Sequence, residues 1–492
     1  MMASRRPLAL CAALALAGCA SAPDYQQPGV EMPAAWSDPR SAAPFHTGAP
    51  NDAAVKGDWW TLFDDAQLNQ LARQTLERNQ SLVVAASRLA QARAQVTVSS
   101  AGLFPAAQLQ AGAGRTRSSA DRPLASLTTA NSSIVQNNYQ LGFAVNYEAD
   151  LFGRVGSTVA NARATAEQAG ADFENTRLVL LSELAADYFN LRELDAEIDV
   201  LNQGIVLQNK AFDFIDARHQ LGASSGLDLA QQQSLLDASK TQLELLNTQR
   251  TQYEHAIATL AGTPAPSFKL APAVVRLTPP ALPVGLPSDV LQRRPDVASA
   301  ERAVAAANAA IGIARAAYFP TIMLSGSGGW DSNTASTLFN APSILWSLGG
   351  ALTQTLFDAG KTGANVDIAK ASYTGAVAGY RQSVLVAMQE VEDGVEGLAA
   401  LERANTQADN AVRSSQRVLD LANDRYTGGV ETYFDVITAQ QTLLNNQRLA
   451  VQIRGKQMVS SVYLVKALGG GWQRAALAQA GATGGAAGAG AA

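Results

Sequence analysis

Residues 156–219 contain no proline, and 64 residues in one helix at about 1.5 Å each make a rod of roughly 96 Å. Ordinary globular helices average about 11–12 residues, so a rod of this length has no place inside a compact domain. Its apolar residues recur every seven: Leu184, Leu191, Ile198, Ile205 and Phe212, joined three residues on by Leu194, Leu201 and Ile215. The register returns at Val391, Leu398, Asn405, Val412 and Leu419, with Leu401 alongside. A strict period of seven implies a left-handed coiled packing of long helices. The remaining faces are mostly Ala, Gln, Asn, Ser and charge, which suits a solvated surface or a water-filled lumen. One such rod cannot bury its own stripe, so it requires neighbours.

The two registers belong to an internal repeat. Phe104-Pro105 finds Phe319-Pro320 at an offset of 215, while Arg218, Gly222, Asp228 and Gly262 find Arg425, Gly429, Asp435 and Gly469 at an offset of 207. The fall of eight places a longer insertion after Phe-Pro in the first copy. Each copy reads as helix, two strands, very long helix, turn, helix. The predicted organisation is a signal peptide at 1–18, an extended leader at 19–57, repeat 1 at 58–285, repeat 2 at 286–472, and a low-complexity Ala/Gly tail at 473–492.

Between the helices the period changes from 3.5 to 2. Leu141, Phe143, Val145, Tyr147, Ala149 and Leu151 alternate with Gln140, Gly142, Ala144, Asn146, Glu148 and Asp150. An apolar outer face and a polar inner face over about eleven residues match a tilted membrane strand. Strands are expected near 106–115, 139–151, 321–330 and 345–356, with Tyr139, Trp330 and Trp346 near their ends, where interfacial aromatics belong. Four strands cannot close a barrel, since the smallest membrane barrels have about eight. Strands and helices thus both call for a ring of several chains. The fold class is mainly α with a membrane β-barrel portion: a long coiled-coil helical barrel plus four transmembrane strands per chain.

The N-terminus fits this picture. Arg5 and Arg6 precede a short apolar core at 8–16, and Leu16-Ala17-Gly18 leads directly into Cys19. That junction resembles a bacterial lipoprotein signal, which makes Cys19 the acylated first residue of the mature chain, anchored in outer membrane lipid. The only other cysteine, Cys11, lies inside the removed segment, so no disulfide is expected. Losing Arg5 and Arg6 moves the net charge from −5 to −7, which argues against a nucleic-acid partner. Past the signal no run is apolar enough to cross a bilayer as a helix, so a membrane-spanning role requires strands. His46, His219 and His255 are scattered, with no phosphate loop and no metal-ligand spacing. No enzyme, no cofactor and no metal site is expected.

These residues resemble the TolC/OprM-type outer membrane efflux channels, in particular the lipoprotein, NodT-like branch. The resemblance rests on Tyr25, Pro28, Pro33 and Trp36 in the leader and on Trp59-Trp60-x-x-Phe63-x-Asp65-x-x-Leu68-x-x-Leu71. Its most specific part is Leu286-Pro287-Ser288-x-x-Leu291-x-Arg293-Arg294-Pro295-Asp296, followed by Ala300-Glu301 and Ile311-Gly312-x-Ala314 through Phe319-Pro320. It implies a homotrimer whose chains combine into a twelve-stranded barrel continuous with a twelve-helix periplasmic tunnel. It also implies a periplasmic adaptor, or membrane fusion protein, and an inner membrane transporter of the resistance-nodulation-division class, which supplies the energy. The implied function is passive export of drugs or other small toxic molecules. A channel for type I protein secretion and a pore-less lipid-anchored coiled-coil scaffold stay open as alternatives.

Working residues follow from the same frame. The turns Leu221-Gly222-Ala223-Ser224 and Gly428-Gly429-Val430 lie at the helix ends remote from the strands and are expected to accept the adaptor. Leu421, Asp424, Arg425 and Tyr426, just before the second turn, match the region where family members close the tunnel mouth; Asn423 stands where relatives have an acidic residue. Glu148 and Asp150, at alternate strand positions, are expected to share a lumen face and favour cations. Arg294-Pro295-Asp296 reads as structural, with proline in the first helical turn and Asp296 complementing the helix N-terminus.

Overall fold

The computed structural model describes residues 23–30, 58–120, 133–275, 277–280 and 294–470. Cys19, the signal peptide, most of the leader, the opening of the Leu286 motif and the Ala/Gly tail lie outside the described residues. The elements are α1 (Ala66–Arg78), α2 (Gln80–Ala101), β1 (Ala106–Ser118), β2 (Ile134–Ala149), α3 (Arg154–Gln220), α4 (Gly226–Leu260), α5 (Pro295–Ala316), β3 (Thr321–Ser332), β4 (Ile344–Thr353), α6 (Lys361–Thr427) and α7 (Tyr433–Ala467). Both long helices run 67 residues and both helices that follow run 35.

The chain forms two compact units. The first takes in the leader residues 23–28 with Leu89–Gln168 and Ala300–Gly379. Its centre is one antiparallel sheet in the order β1-β2-β3-β4. All four strands exist, with shifted ends. The second begins at Ile134 rather than 139, and the fourth stops at Thr353, where the Gln354 side chain bonds the Tyr318 carbonyl at 3.0 Å. Gly142 pairs with Gly329, and a Cβ on Gly329 would lie 2.3 Å from the Leu141 oxygen. Only glycine allows β2 and β3 to approach that closely. The leader is strapped to α5: the Tyr25 hydroxyl donates to Glu301, its ring lies 5.6 Å from the Arg302 guanidinium, and Asn308 donates to the Pro23 carbonyl at 2.8 Å.

The second unit holds the rest of the helices. The heptad residues divide by burial, with Ile198, Ile205, Phe212, Leu401, Asn405 and Val412 only half-buried. Leu184, Leu191, Leu194, Leu201 and Ile215 on α3, and Val391, Leu398 and Leu419 on α6, are buried. Asp65 caps α1 by accepting from the backbone of Gln67 and Leu68 at 2.9 Å, and its other oxygen accepts the Tyr188 hydroxyl at 2.7 Å. An unforeseen break at Asn79 divides α1 from α2. Its side chain accepts from Ser81 at 2.9 Å while donating to the Leu260 carbonyl at 2.9 Å, so one residue caps two helices.

Four helix ends close identically. Ahead of the turns, Gly222 and Gly429 have φ of 74° and 75°; Gly262 and Gly469 have 66° and 89°. In each, the residue after glycine reaches back to the carbonyl five residues earlier, as Ala223 does to Arg218 at 2.8 Å and Val430 to Arg425 at 2.9 Å. This left-handed glycine closure satisfies carbonyls that the helix itself leaves bare.

Candidate functional site

The sheet has two unlike faces. In register, one face carries Leu109, Leu141, Phe143, Val145, Tyr147, Leu324, Trp330, Ile344, Trp346, Leu348 and Leu352. Large members of it stand bare: Trp346 is 73% exposed, Leu348 80% and Leu352 66%. Each such side chain left in water forfeits about 1.5–3 kcal/mol of burial. The opposite face carries Gln108, Gln110, Gln140, Asn146, Ser325, Ser327 and Ser347, with the Ser327 and Ser347 hydroxyls 2.8 Å apart. Trp330 meets Phe339 edge-on at 5.6 Å near one end. Among the described residues, no helix is long and apolar enough to cross a membrane. The outermost strands, β1 and β4, keep one edge each without a partner strand among the described residues.

The paired-carboxylate expectation needs correcting. Asp150 lies one residue beyond β2, where it accepts from the backbone of Val155 at 3.0 Å and Gly156 at 2.6 Å, capping α3. Glu148 remains in the strand and is gripped by Arg154, with a 2.7 Å bond from Nε. The two acids therefore do not share a strand face, because the chain turns into the helix at Asp150. Asp358 does the same work ahead of α6. It accepts from Thr362 and Gly360, and the Thr362 hydroxyl, foremost among these bonds, holds its carboxyl below the usual range.

The tips and the mouth candidates adjoin one another in the second unit. Leu221 is 84% exposed and Val430 69%; Ala223, Gly428 and Gly429 are exposed and Ser224 half-buried. Ser225 caps α4 in a reciprocal box with Asp228, whereas Thr432 makes no side-chain cap for α7. Arg425 pairs with Glu431 across the second turn at 2.6 Å. Leu421 is exposed, and Asp424 contributes its carbonyl to Gly428 at 3.0 Å. The Tyr426 ring lies 5.1 Å from Tyr433, tilted by 55°, and 5.3 Å from the Arg218 guanidinium, against a buried cluster that includes Ile215, Val436 and Leu443. The Tyr433 hydroxyl donates to buried Gln232 at 3.0 Å, and burial pushes Tyr433 up to about 12. Arg425 and Tyr426 thus take different partners, one an ion pair in water and the other a tilted aromatic pair beside a guanidinium.

Two features escaped sequence reasoning. Arg294, rather than Pro295 or Asp296, is the centre of its motif. It is buried, forks onto Asp296 at 2.6 and 3.0 Å, pairs with Glu390 at 2.6 Å and donates to the Ala467 carbonyl at 3.2 Å. Midway along α3, Asp187, Glu193 and Glu197 line a cavity of about 590 Å³ with Tyr253 and Lys456. Burial, then the neighbouring acids, pushes Glu193 up to about 7 and Asp187 to about 6. Glu193 lies where a Cβ on Gly455 would be, 2.3 Å from its Cγ, so α7 needs glycine there. Like charges four apart, as in Glu193 and Glu197, were the signal that could have found this cavity.

The sequence model for outer membrane efflux proteins matches residues 71–263 and 286–470. The chain belongs to this family. The solvent efflux pump outer membrane protein SrpC of Pseudomonas putida is 33% identical over 478 residues, covering 95% of this chain and 98% of that protein. The outer membrane protein OprJ of Pseudomonas aeruginosa is 33% identical over 471 residues, covering 94% and 95%. The CmeC outer membrane channel of Campylobacter jejuni superposes with a TM-score of 0.86 at 25% identity, covering 93% of this chain and 96% of that one. The efflux protein described here works in the outer membrane of a Gram-negative cell, and its family is one of channels rather than enzymes. The bare apolar sheet face is the surface that such a location demands.

Proposed function

We propose that three copies of this efflux protein close a twelve-stranded barrel in the outer membrane, with β1 of each chain pairing to β4 of the next. The long helices of the three chains form the periplasmic tunnel, and the chain is built from two repeats, a reading supported by its matched helix lengths. The observation that carries the barrel is the one-sided sheet with two edges that have no partner strand among the described residues: lipid satisfies the apolar face and neighbouring chains satisfy the edges. The polar face then lines a wet lumen, and Glu148 adds acidity near its inner end. Cys19 carries the lipid anchor. The tips at Leu221-Gly222-Ala223-Ser224 and Gly428-Gly429-Val430 accept a periplasmic adaptor, and an inner membrane transporter of the resistance-nodulation-division class drives export. The name of SrpC, a solvent efflux protein, supports small organic molecules as cargo.

Arg425, paired with Glu431, and Tyr426, its ring beside the Arg218 guanidinium, close the mouth together with Leu421 and Asp424. Exposed ion pairs are individually weak, so the binding free energy of an adaptor suffices to shift such a mouth to its open state. The test is single-channel conductance of the purified protein in planar bilayers, before and after Arg425→Ala with Asp424→Ala. Wild type is expected to conduct poorly and the double variant to conduct several-fold more. Absence of any pore overturns the channel reading; a pore with unchanged conductance removes these residues from the mouth.

A further inference from the structure

The apolar face of the sheet ends in cations. On β1 the outward series Ala107, Leu109, Ala111 and Ala113 continues, at the same period of two, into Arg115 and Arg117. Their partners on β2 are Asn137 and Val135, two and four residues past Tyr139. The alternate positions, Gly114, Thr116 and Ser118, belong to the polar face. Both guanidiniums therefore share the lipid side of the wall with Leu109 and Phe143.

Height along the wall decides what they meet. From Ala149 to Tyr139, β2 advances ten residues. At about 3.4 Å per residue and a tilt near 40°, this is about 26 Å along the barrel axis, the height of an outer membrane apolar band, about 25 Å. Asn137 and Val135 lie a further ~5 and ~10 Å out by the same arithmetic. The other end of β1 joins α2, so this is the end that faces the cell exterior when the helices are periplasmic. A cation is costly at the bilayer midplane and nearly free at the interface, which is where the spacing puts Arg115 and Arg117.

Both side chains are exposed, and among the described residues neither meets a neutralising carboxylate. Arg117 donates through Nε to Ser133 at 2.9 Å, which orients the group while its four Nη–H donors lie outside that bond. Asp331 pairs with Gln140 and so belongs to the polar face. A planar fork of donors at headgroup height matches the geometry of a phosphate group, which it can bond through two parallel N–H donors.

We infer that Arg115 and Arg117 form a binding site for a phosphate-bearing headgroup of the outer-leaflet lipid, repeated on each copy around the barrel. The inference rests on the barrel reading above, since without a bilayer the height argument has no object. It goes beyond that reading because nothing about conduction requires it. A ring of headgroups held at the rim ties the protein to the lipid that surrounds it and screens six guanidiniums in a trimer.

The experiment uses the full-length protein in uncharged detergent, as wild type, Arg115→Gln/Arg117→Gln and Arg115→Lys/Arg117→Lys. Binding of lipopolysaccharide is measured beside dephosphorylated lipopolysaccharide, phosphatidylcholine micelles and inorganic phosphate. Wild type is expected to bind the phosphorylated lipid about ten-fold or more tightly than the Gln variant, as removal of one charge-assisted hydrogen bond would give. The Lys variant should fall between them, because charge remains while the planar fork does not. Equal binding by wild type and the Gln variant overturns the inference. So does equal binding of the dephosphorylated lipid, or displacement by inorganic phosphate at matched concentration. Bilayer conductance of the same preparations separates the two readings: a pore with unchanged lipid binding defeats this inference alone, and no pore in any preparation defeats both.

Discussion

The two long helices have one length and two characters. Register the second on the first and Asp187, Glu193 and Glu197 of α3 fall opposite Gly394, Ala400 and Ala404 of α6. Where α3 meets its neighbours through buried charge, α6 meets them through small residues: a Cβ on Gly394 would lie 3.1 Å from the Leu464 side chain. The charge has a local cause. Arg192 and Arg250 grip Asp195 at 2.8 and 2.6 Å, and both also donate to carbonyls after α4, Arg192 to Ala271 at 3.0 Å and Arg250 to Leu270 at 2.7 Å. Asp195 accepts from the Ala273 backbone at 3.0 Å, and Glu254 from Leu270 at 2.6 Å. This network pins the segment that carries the chain out of its first half. A pinned crossover is needed once, so the cluster around Asp195 has no counterpart at the matching positions of α6, whose Glu390 pairs instead with Arg294 at the start of α5. Matched lengths and glycine closures set the backbone of both halves, while polar chemistry answers to connectivity.

Three measurements break or sharpen that contrast. The largest effect is expected from Asp195→Ala, which leaves the buried Arg192 guanidinium without its carboxylate and takes one of two acids from half-buried Arg250: about 3–5 kcal/mol of stability lost in denaturant unfolding of the detergent-solubilised protein. Its counterpart Glu402, exposed on α6, should lose no more than about 0.5 kcal/mol when changed to Ala. Equal losses would remove the asymmetry.

Next comes Glu193, whose carboxyl is pushed up to about 7, above its value in an unfolded chain. An acid raised on folding is tolerated while protonated and costs the fold once ionised, so stability is fullest below about pH 5 and fades as pH rises through 7. Glu193→Gln should thus stabilise by about 2 kcal/mol at pH 8 and change little at pH 5. A pH-independent effect would show that desolvation is not what perturbs this group. The smallest effect concerns the tips. Ser225→Ala, losing a reciprocal cap, should cost about 1 kcal/mol, seen as faster amide exchange in the first turn of α4. Thr432→Ala, which loses no cap, should cost a few tenths. Similar acceleration at both tips would contradict the difference in capping.

Much of this architecture was legible beforehand, for a physical reason: long-period patterns survive in sequence. The predicted 156–219 rod is Arg154–Gln220, and all four strands stand within a few residues of where alternation put them. The misses share a cause, which is that they depend on distant partners or on solvent. Nothing near Asn79 announces a helix break, since its cap is completed by Leu260 from another helix. The start of β2 at Ile134 was hidden because Gln136, Asn137 and Asn138 do not alternate in polarity. At the other extreme, apolar Leu356 drew the fourth strand too far, although it lies beyond Thr353 and is 91% exposed. In the candidate site, glycine marked both tips, because a positive φ leaves a sequence trace. The division of labour between Glu148 and Asp150 left none, because whether an acid faces a lumen or caps a helix is decided by where the next turn of chain goes.

The margins of β1 and β4, which have no partner strand among the described residues, carry a consequence for biogenesis. A sheet with raw edges and a greasy flank has no safe resting form in water, and its easiest partner there is any other unfinished strand. Between secretion and insertion the strands must stay unzipped or escorted, while the helices, with their own buried stripes, are free to form early. If three chains close one barrel as proposed, maturation is a race that ends only when lipid and sister chains arrive together.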